Sequence, residues 1–134
     1  MQINRKFIEL GFIVAALVDA IYLSIEHFFH GILSCSASGL INCQLVLTSR
    51  FSAIFGIPIA FMALTWSILL FAVVYLGLKN KAIVYALLTV GALGVIYSIT
   101  AQWSLGHICE YCTVLDVLIA IIIAIHMLMA DKHG

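Results

Sequence analysis

Charge is what this chain of 134 residues has least of: Asp, Glu, Lys and Arg together make up 9% of it. Soluble domains carry about 25% charged residues and are about half apolar. Here 65% of the residues are hydrophobic, and the mean hydropathy is +1.23. So little charge over so much apolar surface excludes a water-soluble fold of this size, and the bilayer must be the solvent. The six basic and six acidic residues cancel and form no basic patch, so no nucleic-acid partner is indicated. Linkers, low-complexity tracts and internal repeats are also missing, which reads as one domain over residues 1–134.

What remains is apolar length. Four stretches, Phe7–His30, Ile57–Leu78, Ala82–Trp103 and Ile108–Ala130, each reach the roughly 20 helical residues that cross a hydrocarbon core. The first is longer than a signal-peptide core and no convincing cleavage site follows it, so it is read as a retained helix. Lys79-Asn80-Lys81 and Ser104-Leu105-Gly106-His107 are short connections that make their flanking helices antiparallel neighbours. Ala86, Gly91, Ala92 and Gly94 allow the third helix to pack closely. Tyr97 and Trp103 suit the outer interfacial belt, and Tyr75 and Tyr85 the inner one. The expected fold is an all-α membrane protein, a four-transmembrane-helix bundle.

Arg5, Lys6, Lys79, Lys81 and Lys132 fall on one side of these helices, and only Arg50 falls on the other. The positive-inside rule then places both termini in the cytoplasm and segments 31–56 and 104–107 outside. The outer segment 31–56 is long for a compact fold and is not very polar. Gln44–Phe55 reads as a short amphipathic helix along the outer interface, capping the open end of the bundle. A lid over a membrane cavity suits a lipid-soluble substrate.

All four cysteines lie on this outer side, where disulfides persist. Cys109 and Cys112 form a C-x-x-C where the last apolar segment begins, spaced to share a helix face and bond across one turn. A helix N-terminus there stabilises the nucleophilic thiolate, with His107 nearby. Cys35 and Cys43 close a loop so short that a disulfide between them constrains little chain entropy. A swinging pair is better suited to exchange, first with a soluble partner and then with the fixed pair. Inert staples and a zinc site are the competing readings, but C-x7-C with C-x2-C matches no common zinc spacing.

Cys35-x7-Cys43-x5-Ser49, then Phe55-Gly56-Ile57-Pro58 and Cys109-x2-Cys112, resembles the vitamin K epoxide reductase family over almost the whole chain. It is similar to short prokaryotic members that lack a fused thioredoxin-like domain. The resemblance implies a quinone pocket beneath the cap, with ubiquinone, menaquinone or a similar quinone as electron acceptor. It makes Cys112 the thiol nearest the quinone and Cys109 its resolving partner, fed from the loop pair through Cys43. Cys35 would then close the loop disulfide. Ser49, with Thr48 as the alternative, would hydrogen-bond a quinone oxygen. Animal members carry a vitamin K-contacting tyrosine where this chain has Asp116. Prokaryotic relatives take electrons from a thioredoxin-like or DsbA-like extracytoplasmic protein, so the implied activity is a thiol–quinone oxidoreductase that drives disulfide formation.

Asp116, one turn below Cys112, is the candidate for proton delivery to the quinone. Asp19 sits mid-helix, where insertion scales put an ionised carboxylate at roughly 2.5–3.5 kcal/mol, so it should face the interior as a proton carrier or an anchor for Tyr22. Glu26, His27 and His30 read as interfacial, His126 as structural, and Trp66 and Phe61 as pocket walls or simple packing. Two alternatives stand beside the leading one. The Dsb-type four-helix oxidant places its two cysteine pairs in the reverse order. A disulfide-stapled, non-catalytic scaffold would carry no such activity.

Overall fold

The computed structural model describes residues 2–29, 49–78 and 80–133, with side chains from 6 to 128 within those ranges. Four α-helices lie among the described residues: α1 (Gln2–Phe28), α2 (Ile59–Leu76), α3 (Lys81–Leu105) and α4 (Glu110–His133). Each contains a span long and apolar enough to cross a membrane. The four-helix membrane bundle is therefore the fold of this chain.

The helices end where the sequence gives them reason to. Gly77 (φ 65°) stops α2 in a left-handed cap, with its N–H on Val74 O and that of Leu78 on Val73 O. Asn80 caps the start of α3 by accepting the Ala82 N–H at 3.0 Å. Gly106 (φ 71°) ends α3, donating to Gln102 O and Trp103 O. α1 packs against α2 and α4, and α3 against α4 and α2, which leaves α1 and α3 diagonal to each other.

Ile13, Ala16, Leu70, Ile119 and Ile122 fill the centre, and Val73, Val84 and Leu88 close the bundle between α2 and α3 at the end remote from Cys109, named the inner end as the Cys109 end is named the outer. Leu76, Leu93, Ile96 and Leu128 point outward and are exposed, as expected of helices whose outer faces meet lipid.

The cap differs from the expected amphipathic helix. Residues 44–48 lie outside the described residues, and the rest of Gln44–Phe55 is not a continuous helix. Arg50–Ser52 makes one 3₁₀ turn, and strands β1 (Ala53–Ile54) and β2 (Ile57–Pro58) pair antiparallel, Ala53 with Pro58 and Ile54 with Ile57. Phe55 (φ 53°) and Gly56 (φ 80°) form the two-residue turn between them. Two consecutive left-handed residues make a hairpin turn and stop any helix. Phe55 stands at its tip, 99% exposed. Because Ile57 and Pro58 belong to this ribbon, α2 starts two residues later than expected. At the other junction α4 starts at Glu110, not Ile108.

Candidate functional site

Beneath the hairpin the outer half of the bundle holds a cavity of about 360 Å³. Phe51, Ser52 and Ile54 roof it, and Trp66, Gly91, Gly94, Cys112 and Asp116 are among the residues of its walls. Met62, Val90 and Leu93 line it and are also exposed, so it opens sideways between α2 and α3. Tyr97 ties the roof down, its hydroxyl donating to Phe51 O at 2.9 Å. Trp66 forms part of the floor, with its indole N–H donating to Leu87 O at 2.6 Å. Gly91 makes that position available: a Cβ there would stand 2.7 Å from Trp66 Cζ2. A Cβ on Gly94 would meet nothing within 4 Å.

Cys109 and Cys112 are joined in a disulfide, Cα–Cα 5.2 Å. Cys109 is fully buried immediately before α4, and Cys112 lines the cavity. Cys109 occupies the capping position: its Sγ lies 3.2 Å from the Cys112 N–H, a free donor of the first helical turn. When the bond opens, negative charge on that sulfur meets an amide donor and the positive end of the helix.

Polar side chains hold this junction. Gln102 Oε1 accepts the Cys109 N–H at 2.8 Å and faces the Thr113 hydroxyl at 3.3 Å. Gln102 Nε2 donates to Ser98 Oγ at 3.3 Å, and Ser98 Oγ donates to Asp116 Oδ2 at 2.8 Å. Asp116 is buried, and it lies close enough to Asp19 of α1 for the two to interact electrostatically.

The structure therefore brings Cys109, Cys112 and Asp116 together at the cavity. Cys35, Cys43, Thr48 and His30 lie outside the described residues. Ser49 is half-buried at the start of the 3₁₀ turn. Ser52, in the same turn, lines the cavity, its hydroxyl donating to Ser49 O at 2.7 Å. Asp19 does not anchor a neighbour through Oδ2, which is buried without a hydrogen-bond partner. Tyr22 packs instead on Tyr111, ring centroids 4.4 Å apart. His27 reaches the cavity wall, while Phe61 packs on Phe28 outside it. His126 meets the buried Glu9 at 3.0 Å in the inner half.

Sequence reasoning missed Ser98, Gln102, Ser52 and Glu9. The signal for the first two was present: two polar residues one turn apart on an apolar helix, matching the one-turn spacing of Cys112 and Asp116 on the next.

Searches of curated proteins and of solved structures gave no match. A family model described as "Vitamin K epoxide reductase family" matches residues 8–127. With the match running from the first helix into the last, this multi-pass membrane chain belongs to the vitamin K epoxide reductase family, an oxidoreductase family that generally uses quinone.

Proposed function

We propose that this chain, as one domain over residues 1–134, oxidises a thioredoxin-like or DsbA-like extracytoplasmic protein and reduces a membrane quinone. Disulfide formation in that partner is the product. The reading is carried by one observation: a disulfide sulfur, that of Cys112, in the wall of a mostly apolar cavity open to the lipid. Small-molecule sites are of this kind, a few hundred Å³ of apolar wall with few polar groups. A quinone ring entering sideways from the bilayer meets Cys112 and Asp116 without crossing water.

Electrons enter at Cys35 and Cys43, pass by thiol–disulfide exchange to Cys109, and leave through Cys112. In the last step the Cys109–Cys112 dithiol closes to a disulfide, and its two electrons convert quinone to quinol. Ser49 or the cavity-lining Ser52 donates to a quinone oxygen on this reading, and Asp116 supplies a proton. Basic residues at the ends remote from Cys109 support cytoplasmic termini, with the cysteines on the outer side.

The purified protein should reduce a soluble quinone analogue when given a reduced thioredoxin-like donor. Cys112→Ala should bring this to background. Replacing Cys109 should leave a mixed disulfide with the donor on non-reducing gels. A disulfide-stapled scaffold would show no quinone reduction in any form, and that result would end the proposal.

A further inference from the structure

Asp116 forms part of the walls of two cavities. One is the chamber that contains Cys112; the other is a groove of about 660 Å³ between α3 and α4. The groove begins at Gly106 and His107, at the outer end of the bundle, and runs past Gln102 and Thr113 to the same carboxyl. Val95, Ile99, Trp103 and Val117 make most of its wall apolar, and Gln102 and Thr113 form one polar edge that leads from the exposed Thr113 to the buried Asp116.

The hydrogen bonds along it have a fixed direction. A backbone N–H can only donate, so the Cys109 N–H obliges Gln102 to present its oxygen there, at 2.8 Å. Its NH₂ is thereby turned toward Ser98 Oγ, at 3.3 Å, and the Ser98 hydroxyl is left to donate to Asp116 Oδ2, at 2.8 Å. The donors run one way, from Gln102 to Ser98 and from Ser98 to the carboxyl. The opposite direction is closed: Ile13, Ala16, Ile119 and Ile122, each no more than 6% exposed, fill the bundle below. The next polar pair, Glu9 and His126, lies about 15 Å further along α4, ten residues at 1.5 Å each. Asp19 of α1 faces Asp116 across the bundle, close enough for the two carboxyls to interact.

We propose that the protons consumed at the quinone reach Asp116 through the α3–α4 groove, from the membrane face on which Cys109 lies. Ser98 and Gln102 are the positioning residues that hold the carboxyl between groove and chamber. This rests on the chamber being the quinone site. Closure of the Cys109–Cys112 disulfide releases two thiol protons and two electrons, and the quinone takes up two of each to become quinol. With release and uptake on one face, turnover moves no net charge and no proton across the membrane.

The protein is tested whole, in liposomes with a pH dye trapped in the lumen. A membrane-impermeant dithiol outside drives only those molecules whose cysteine end faces outward, and a short-chain ubiquinone analogue accepts the electrons. Lumenal pH should stay constant during turnover. Ser98→Ala and Gln102→Leu should each lower kcat by about tenfold, as when a reacting group loses its orientation, with KM for the analogue unchanged. Both should also enlarge the solvent isotope effect on kcat, and Ser98→Thr should restore it.

Lumenal alkalinisation would overturn the inference, as would wild-type kcat and isotope effect in both variants. Those results differ from failure of the underlying reading, in which wild-type protein reduces no quinone with any dithiol.

Discussion

The two halves of the bundle are built to opposite rules. The inner half is filled: Ile13, Leu70 and Ile122 are fully buried, and the Glu9–His126 pair is satisfied internally at 3.0 Å. The outer half is built around a chamber and threads four polar side chains, Asp116, Ser98, Gln102 and Thr113, between apolar helices. Interiors normally pack as densely as organic crystals, and unfilled space forfeits dispersion contacts. With the proposed site in the chamber, stability is concentrated at one end of the bundle and chemistry at the other. Substitutions should separate the two.

The largest effect is expected at the outer end. Asp116→Asn keeps the shape of the side chain but removes its acid function. Quinone reduction should fall by about a hundredfold, the low end of what a positioned proton donor contributes. The thermal midpoint should move little, and unchanged turnover would remove Asp116 from the mechanism.

The reverse pattern is expected at the inner end. His126→Leu leaves Glu9 buried without the partner it now meets, at a cost of about 1–3 kcal/mol, more if the pair is charged. Thermal unfolding in detergent should show that loss, while turnover per folded molecule stays at the wild-type value. A turnover defect at intact stability would mean that the two halves are not separable in this way.

The smallest effect tests the roof. Tyr97→Phe removes one hydrogen bond, to Phe51 O, worth about 1 kcal/mol. A looser roof should raise KM for a quinone analogue several-fold and leave kcat alone. A fall in kcat with unchanged KM would place Tyr97 among the groups that act on the reaction itself.

Much of this was legible in the chain because membrane helices are written plainly. Four apolar runs and two short connections fixed the bundle, and Gly77, Asn80 and Gly106 set boundaries close to those expected. The C-x-x-C at the start of the last helix and Asp116 below it could be placed on one face from spacing alone. The cap could not. Its apolar periodicity from Gln44 to Phe55 suggested a helix, and the Phe55-Gly56 pair that actually turns the chain was visible only as part of a family motif. Bulky Phe55 in a left-handed conformation runs against local preference, and tertiary pairing of Ala53 with Pro58 overrides it. Ser98 and Gln102 were overlooked for a different reason: polar residues near a membrane surface are ordinary, and their one-turn spacing gains meaning only beside that of Cys112 and Asp116.

The indole of Trp66 is pinned at its nitrogen to one turn of α3 and pressed flat on the bare backbone of the next, at Gly91. α2 and α3 are thereby riveted where they cross under the chamber, so spreading them to admit a larger headgroup would break both contacts at once. On the proposed reading, accommodation of acceptors of different girth falls instead to the roof overhead, whose 3₁₀ turn is held to α3 by the Tyr97 hydroxyl.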